Sequence, residues 1–315
     1  MSATVKQRRS GGRPATLAVI RAFDALCDLG PLTRGHLGDA LEASPSTITA
    51  AVRELEARGY VAEIGAAQST GGRKPRVLDL AVSLGSVLAA DLGAINVRIA
   101  AADVRGRILE RCDFPTPQSS DSNVFRRRVL QALSRVARSA PKPVHALTLG
   151  VAGIVDEYTR EVSFATLPGW PSGDPARWLR RLGVPVLIEN EANLAAMGEY
   201  AHGADHFADS LLFVAIGAGI GAGLMIRGEL YRGATGAAGE IGFLRRDLSS
   251  PPGQLEREAA AAAAVRLYRA AGGEPALATA EEVFASAGMG EPAARAAVAT
   301  IVDELALGLA NAIAL

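Results

Sequence analysis

Three small hydroxyl side chains, Ser46, Thr47 and Thr49, precede Arg53 in a run that opens with Ser44-Pro45. Short hydroxyls meet base edges and a downstream guanidinium meets phosphate, so this set suits a DNA major groove. Arg73 and Lys74 follow in Gly71-Gly72-Arg73-Lys74-Pro75. Glycines there let the backbone lie close to a nucleic acid while the two cations contact phosphate or a minor groove. Further on, Asp91-Leu92-Gly93 sits between two apolar runs. An Asp-x-Gly turn can present backbone amides and a carboxylate to a phosphate or its metal, although such turns are common.

The elements that must hold these groups are legible from spacing. From Ala15, Val19, Ile20, Phe23 and Leu26 recur at helical intervals until Gly30-Pro31 stops the run. Thr33 can cap a second helix carrying Leu37 and Leu41. Ser44 can cap a third, with Pro45 at the favoured first position and Ile48, Val52 and Leu55 facing inward. Gly59 ends that helix. Tyr60–Ile64 and Arg76–Leu80 read as two strands joined by the polar loop Gly65–Pro75. Three helices and a basic hairpin make a winged helix-turn-helix over residues 15–80, preceded by a flexible basic arm over 1–14. A three-helix bundle used only to dimerise would carry the same hydroxyls, but the helix order, the turn length and the basic hairpin favour DNA.

Composition agrees with that division. Residues 1–78 carry 11 Lys and Arg against 7 Asp and Glu, whereas the rest carries 22 against 26. A basic head on an acidic body suits an anionic partner at the head. The two cysteines, Cys27 and Cys112, have no metal-ligand spacing and fit a reducing cytoplasm. No apolar run follows the basic N-terminus, and the alanine-rich stretch 259–265 is flanked by charges, so a membrane partner is not expected. The alanine-rich helices of the body are the expected surface of a homodimer or higher homo-oligomer.

Residues 81–315 alternate strands and helices. Val87–Asp91, Asn96–Asp103, Arg107–Asp113, Val144–Val151, Pro185–Glu189 and Ser210–Ile216 read as strands, and Phe125, Val129, Leu133 and Val136 mark a helix. Seven stretches then occur in one order: Asp91–Asn96, Ala152–Asp156, Leu167–Trp170, Asn190–Asn193, Gly217–Gly223, Gly233–Gly242 and Gly253–Glu256. In these stretches the body resembles the ROK family (repressor, open reading frame, kinase), over roughly residues 82–315. The whole chain resembles that family's transcriptional regulators. The resemblance implies an α/β, actin-like and ribonuclease-H-like domain, with lobes of about 81–204 and 205–315 around a cleft. It also implies sugar contacts at Asn190, Glu191, Glu240 and Glu256, and phosphate-loop positions at Asp91, Gly93, Gly217, Gly219 and Gly221.

Several positions depart from the family's kinases. Glu191 stands where the kinases have the catalytic Asp, and one added methylene displaces a carboxylate enough to cost on the order of 10²-fold in rate. Ile95 and Ala218 replace hydroxyl residues, and Phe243 replaces a zinc-binding His. Residues 245–256 contain no cysteine and Gln254 falls where one belongs, so no zinc is expected there. The helix over Ala306–Leu315 precedes, in relatives, a strand and glycine pair near the adenosine. Either the chain is shortened or the nucleotide site is incomplete, and neither ATP nor any other cofactor is expected. Thr166 and Phe243 make the pocket less polar than a glucose site. The expectation is a repressor, reading a near-palindromic double-stranded DNA operator as a dimer and controlled by a sugar-like effector in a non-catalytic kinase-like domain. The rival readings are an active ATP-dependent sugar kinase with a DNA-binding head, and a DNA-binding dimer without effector.

Overall fold

A computed structural model of the chain describes residues 14–66, 74–118, 121–163, 167, 176–203, 209–245, 249–274, 277 and 279–313. The head begins with α1 (Pro14–Leu29), which ends at Gly30, where φ is +85°. Next come β1 (Leu32–Thr33), α2 (Arg34–Leu41) and α3 (Pro45–Ala57). Thr33 caps α2 by accepting the His36 N–H, and Ser44 caps α3 by accepting the Thr47 N–H. Strands β2 (Val61–Ala66) and β3 (Arg76–Leu80) pair antiparallel, with an irregularity between Glu63 and Gly65. With β1 they form a sheet of order β1-β3-β2.

One core holds this head together. Val19, Ala22 and Leu26 of α1, Leu37 of α2, Ile48, Val52 and Leu55 of α3 and Leu78 of β3 are buried against one another. Removing each larger side chain from water contributes about 1.5–3 kcal/mol. Ile20, read as inward from its spacing, is 44% exposed.

The body opens with β4 (Ser86–Leu92), β5 (Asn96–Asp103) and β6 (Ile108–Pro115), followed by α4 (Ser122–Ser139) and β7 (Val144–Val151). A short hairpin, β8 (Ile154–Val155) and β9 (Val162–Ser163), precedes α5 (Ala176–Leu179), β10 (Val186–Asn190) and α6 (Glu191–His202). The central sheet has the order β10-β7-β4-β5-β6, with β10 parallel to β7. A second, antiparallel sheet contains β11 (Ser210–Ile216), β12 (Ile220–Ile226) and β13 (Glu229–Tyr231). Four helices close the chain: α7 (Gln254–Ala259), α8 (Ala261–Ala270), α9 (Ala280–Gly288) and α10 (Pro292–Ile313).

These helices pack with β12 in a second core. Ala259, Ala260 and Ala264 lie inside it, at 0–3% exposure. Small alanine side chains at these positions admit close helix packing. Helix α10 is long and apolar enough to cross a membrane by length and composition. Its buried Ala294, Ala297, Ile301 and Gly308 belong to the α/β domain, and Gly308 lies against Leu255.

Two compact units form, and they do not follow chain order. One comprises Met1–Leu88, Ala100–Arg111 and Arg135–Ala146, and the other comprises Ala89–Ile99, Cys112–Ser134 and Leu147–Leu315. The tip of the β5–β6 hairpin therefore belongs with the head.

Candidate functional site

On the head, Ser46, Thr47, Thr49 and Arg53 are all exposed on α3. Their hydroxyls are already partly engaged. Ser44 Oγ lies 2.9 Å from Ser46 Oγ and 2.8 Å from Thr47 Oγ1, and Thr49 Oγ1 donates to the Pro45 carbonyl at 2.7 Å. Lys74 is exposed, while Arg73 lies outside the described residues. Arg34 is held between Glu56 (2.9 Å) and Glu63 (3.1 Å), which also pairs with Arg76 at 3.3 Å. Two of the head's cations thus serve the fold.

In the body, Asp91 stands at the end of β4 and Gly93 turns the chain by donating its N–H to Asn96 O at 3.1 Å. Thr116 braces this turn, donating its hydroxyl to Gly93 O at 2.6 Å and its N–H to Ile95 O at 2.8 Å. Ile95 is 61% exposed, an apolar side chain where kinases of the family have a hydroxyl. Arg98 Nη1 donates to Asp91 Oδ2 at 2.8 Å.

The carboxylates of Asp91, Glu191, Glu240 and Glu256 form a chain of mutual influence. Burial pushes the Glu191 carboxyl up to about 7; the Asp91 and Glu240 charges push the same way and Arg98 opposes them. Burial first, then the neighbouring Glu256 charge, raise Glu240. Taking carboxylates out of water beside one another disfavours their charged forms. The structure thus brings Glu191, Glu240 and Glu256 together with Asp91 in one unit.

Asn190 is the N-cap of α6. Its Oδ1 accepts from Ala192 N at 2.9 Å and Asn193 N at 3.1 Å, and its Nδ2 donates to Gly153 O at 3.0 Å. Among the described residues, its second amide proton meets no acceptor. Among the glycines, Gly217 donates to Gly219 O at 2.9 Å and accepts from Ala261 N at 2.9 Å. Glu256 Oε2 accepts from Ile220 N at 3.0 Å, and a Cβ on Gly219 would lie 2.6 Å from that oxygen. Gly221 approaches Ala192 Cβ only at ordinary contact, 3.5 Å. Phe243 is 51% exposed.

Sequence reasoning missed one group. Glu189, 8% exposed, accepts from Asn190 N (2.8 Å), Asn193 Nδ2 (2.9 Å) and Arg232 Nε (2.8 Å). A lone Glu closing the apolar run Val186-Leu187-Ile188 was the available signal, since a buried carboxylate requires partners.

The fold and this acidic cluster define an α/β domain of the actin-like kinase class, carried with a small helical head. The chain belongs to the ROK family, whose model matches residues 87–315. The xylose repressor of Bacillus subtilis (strain 168) is 29% identical over 225 residues, covering 70% of this chain and 58% of that protein. The chain spans 54–58% of the length of three curated relatives named as xylose repressors. A ROK family glucokinase from Streptomyces griseus, solved with glucose and AMPPNP, superposes with a TM-score of 0.63 at 26% identity, over 72% of this chain and 78% of that one. A ROK family transcriptional regulator, described as a homologue of the E. coli MLC protein, shares the fold with a TM-score of 0.70 at 23% identity. It covers 94% of this chain and 81% of its own.

Proposed function

We propose that this chain is a DNA-binding transcriptional repressor whose α/β domain senses a sugar without phosphorylating it. The observation that carries the second half is the occupation of the phosphate-handling groups by the protein itself. Asp91 is paired with Arg98, and the Ile220 amide of the glycine loop is taken by Glu256. Phosphoryl transfer needs a carboxylate free for metal and loop amides free for phosphate. No thiol stands in residues 245–256, so the reading does not include a thiolate zinc site. The sugar-facing groups are Glu191, Glu240 and Glu256, with the remaining Asn190 proton; D-xylose is the first candidate, from the relatives' names.

The head reads as a winged helix-turn-helix over residues 15–80, with the exposed set on α3 in the major groove and Lys74 with Arg73 on the wing. One short helix contacts only a few base pairs, so the operator is near-palindromic and the protein acts as a homodimer in the cytoplasm. The discriminating experiment is a gel shift on the promoter region next to the protein's own gene, with D-xylose, D-glucose and other sugars, beside an ATP-dependent phosphorylation assay. Retarded DNA that a sugar releases supports the reading. Rapid sugar phosphorylation sinks the non-catalytic part, and indifference to duplex DNA at low salt sinks the whole.

A second reading, an active sugar kinase, draws on one observation. A carboxyl poised at about 7, as in Glu191, is what a general base for a sugar hydroxyl requires. The phosphorylation assay separates the two.

A further inference from the structure

Glu189 stands next to last in β10, buried, and its two carboxylate oxygens serve different segments. Oε1 accepts from Asn190 N at 2.8 Å and from Asn193 Nδ2 at 2.9 Å, so it braces the start of α6. Oε2 accepts twice from Arg232, from Nε and from Nη2, each at 2.8 Å. Arg232 follows β13 directly and opens the loop that leads to Glu240. One buried carboxylate thus joins the strand end carrying Asn190 and Glu191 to the loop carrying Glu240.

That loop is short and pinned at its base. Arg232 O accepts the Ala238 N–H at 3.0 Å, and Gly239 O accepts the Ala222 N–H of β12 at 2.8 Å. Its middle lies on β8, since a side chain on Gly236 would begin within contact of the Val155 carbonyl. Asn190 reaches the residue before that strand by donating Nδ2 to Gly153 O at 3.0 Å. Glu189, Asn190, β8 and the loop therefore close a ring, of which the Glu189–Arg232 contact is an ionic link. Every residue of this ring lies in the unit that contains 147–315.

We infer that Arg232 is a positioning residue of the ligand site: through Glu189 it fixes Asn190 and Glu191 relative to Glu240. A buried carboxylate stripped of its cation is strongly unfavourable, so the pair holds as long as Glu189 stays buried. The guanidinium fork sets direction as well as distance, which the point charge of a lysine does not. The role in ligand binding rests on the sugar-sensing reading; the placing of the carboxylates does not.

The first test needs no sugar. Burial, with the Asp91 and Glu240 charges and against Arg98, holds the Glu191 carboxyl at about 7. Arg232 acts on it through the place it gives Glu240. Carboxyl ¹³C NMR of the full-length chain follows the Glu191 titration, its signal assigned by its loss in Glu191→Gln. The deciding variant combines Glu189→Gln with Arg232→Met. It removes both charges together, so no carboxylate is stranded, and the glutamine oxygen can still brace α6. Glu191 should then titrate well below 7, with Arg232→Lys falling between, a graded rescue of the fork. Should circular dichroism show the double variant unfolded, Arg232→Lys decides by the same criterion. A Glu191 titration unchanged in the deciding variant, or already near 4.5 in the wild type, overturns the positioning role.

Binding comes second, by calorimetric titration with D-xylose and D-glucose. An arrangement populated a tenth of the time raises Kd about tenfold, so the double variant should bind at least that much more weakly. Equal Kd in the wild type and the double variant overturns the role in binding. A wild type that binds neither sugar tells against the sugar-sensing reading and leaves the Glu191 result standing.

Discussion

The Glu256 carboxylate accepts the Ile220 N–H at 3.0 Å and stands where a side chain on Gly219 would have to begin. The glycine loop is thus closed by an anion that belongs to the protein. The same carboxylate raises Glu240, so loop and acidic cluster are electrostatically one site.

Gly219→Ala tests that joining. The added Cβ meets only the far end of a flexible side chain, so the fold should lose less than about 1 kcal/mol. Glu256 must move aside, so on the proposed sugar-sensing reading the rise in melting temperature with D-xylose should shrink or vanish. An unchanged ligand shift would separate the loop from the site.

Gly223→Ala is the contrasting case. Its Cβ would meet the Ala192 carbonyl oxygen at 2.6 Å, Ala196 Cβ at 2.6 Å and Asn193 Cα at 3.0 Å. Helix α6 cannot yield as a side chain end can. A loss of about 1–3 kcal/mol or more is expected in urea unfolding.

Stability should fall as pH rises across the interval set by Glu191. Its carboxyl is raised from 4.5 to about 7 in the folded protein. Between those values the native state binds the extra proton, so its contribution is complete below the lower value and lost as pH climbs through the upper. The difference is about 3 kcal/mol as an upper bound. Glu191→Gln should flatten the unfolding midpoint between pH 5 and 8; Glu240, also raised, contributes with the same sign.

Replacing Arg73 and Lys74 together by Ala should weaken DNA binding irrespective of sequence. Two phosphate contacts fewer lower the magnitude of the slope of log K against log salt by about 1.8. A fluorescence-anisotropy titration at several salt concentrations measures it, and altered sequence preference with an unchanged slope would assign these residues another role.

The caps of the head and the strand cores were readable because each rests on local rules. Thr33 and Ser44-Pro45 act where their types demand, and the runs Asn96–Asp103, Val144–Val151 and Ser210–Ile216 match their strands end to end. The carboxylate positions came from the family pattern. What remained hidden depends on distance in three dimensions. Nothing local says that Asp79 will find Arg105, that Arg98 will hold Asp91, or that Asn190 will spend its oxygen on a helix cap. Nor does periodicity separate alanines that face a partner from alanines that line a core, as Ala259, Ala260 and Ala264 do.

The folded-back hydroxyl of Thr49 has a consequence for how a duplex is read. A proton bound to the Pro45 carbonyl is not offered to a base, so on the proposed DNA-reading role the side chain would meet the groove with an acceptor and a methyl group. The complementary feature in the major groove is the 5-methyl of thymine. Deoxyuridine substituted for thymidine at the contacted step, which deletes that methyl and preserves every Watson–Crick hydrogen bond, should therefore lower affinity as much as a base change does. On that reading, specificity at this position would be carried by van der Waals fit, which is insensitive to ionic strength.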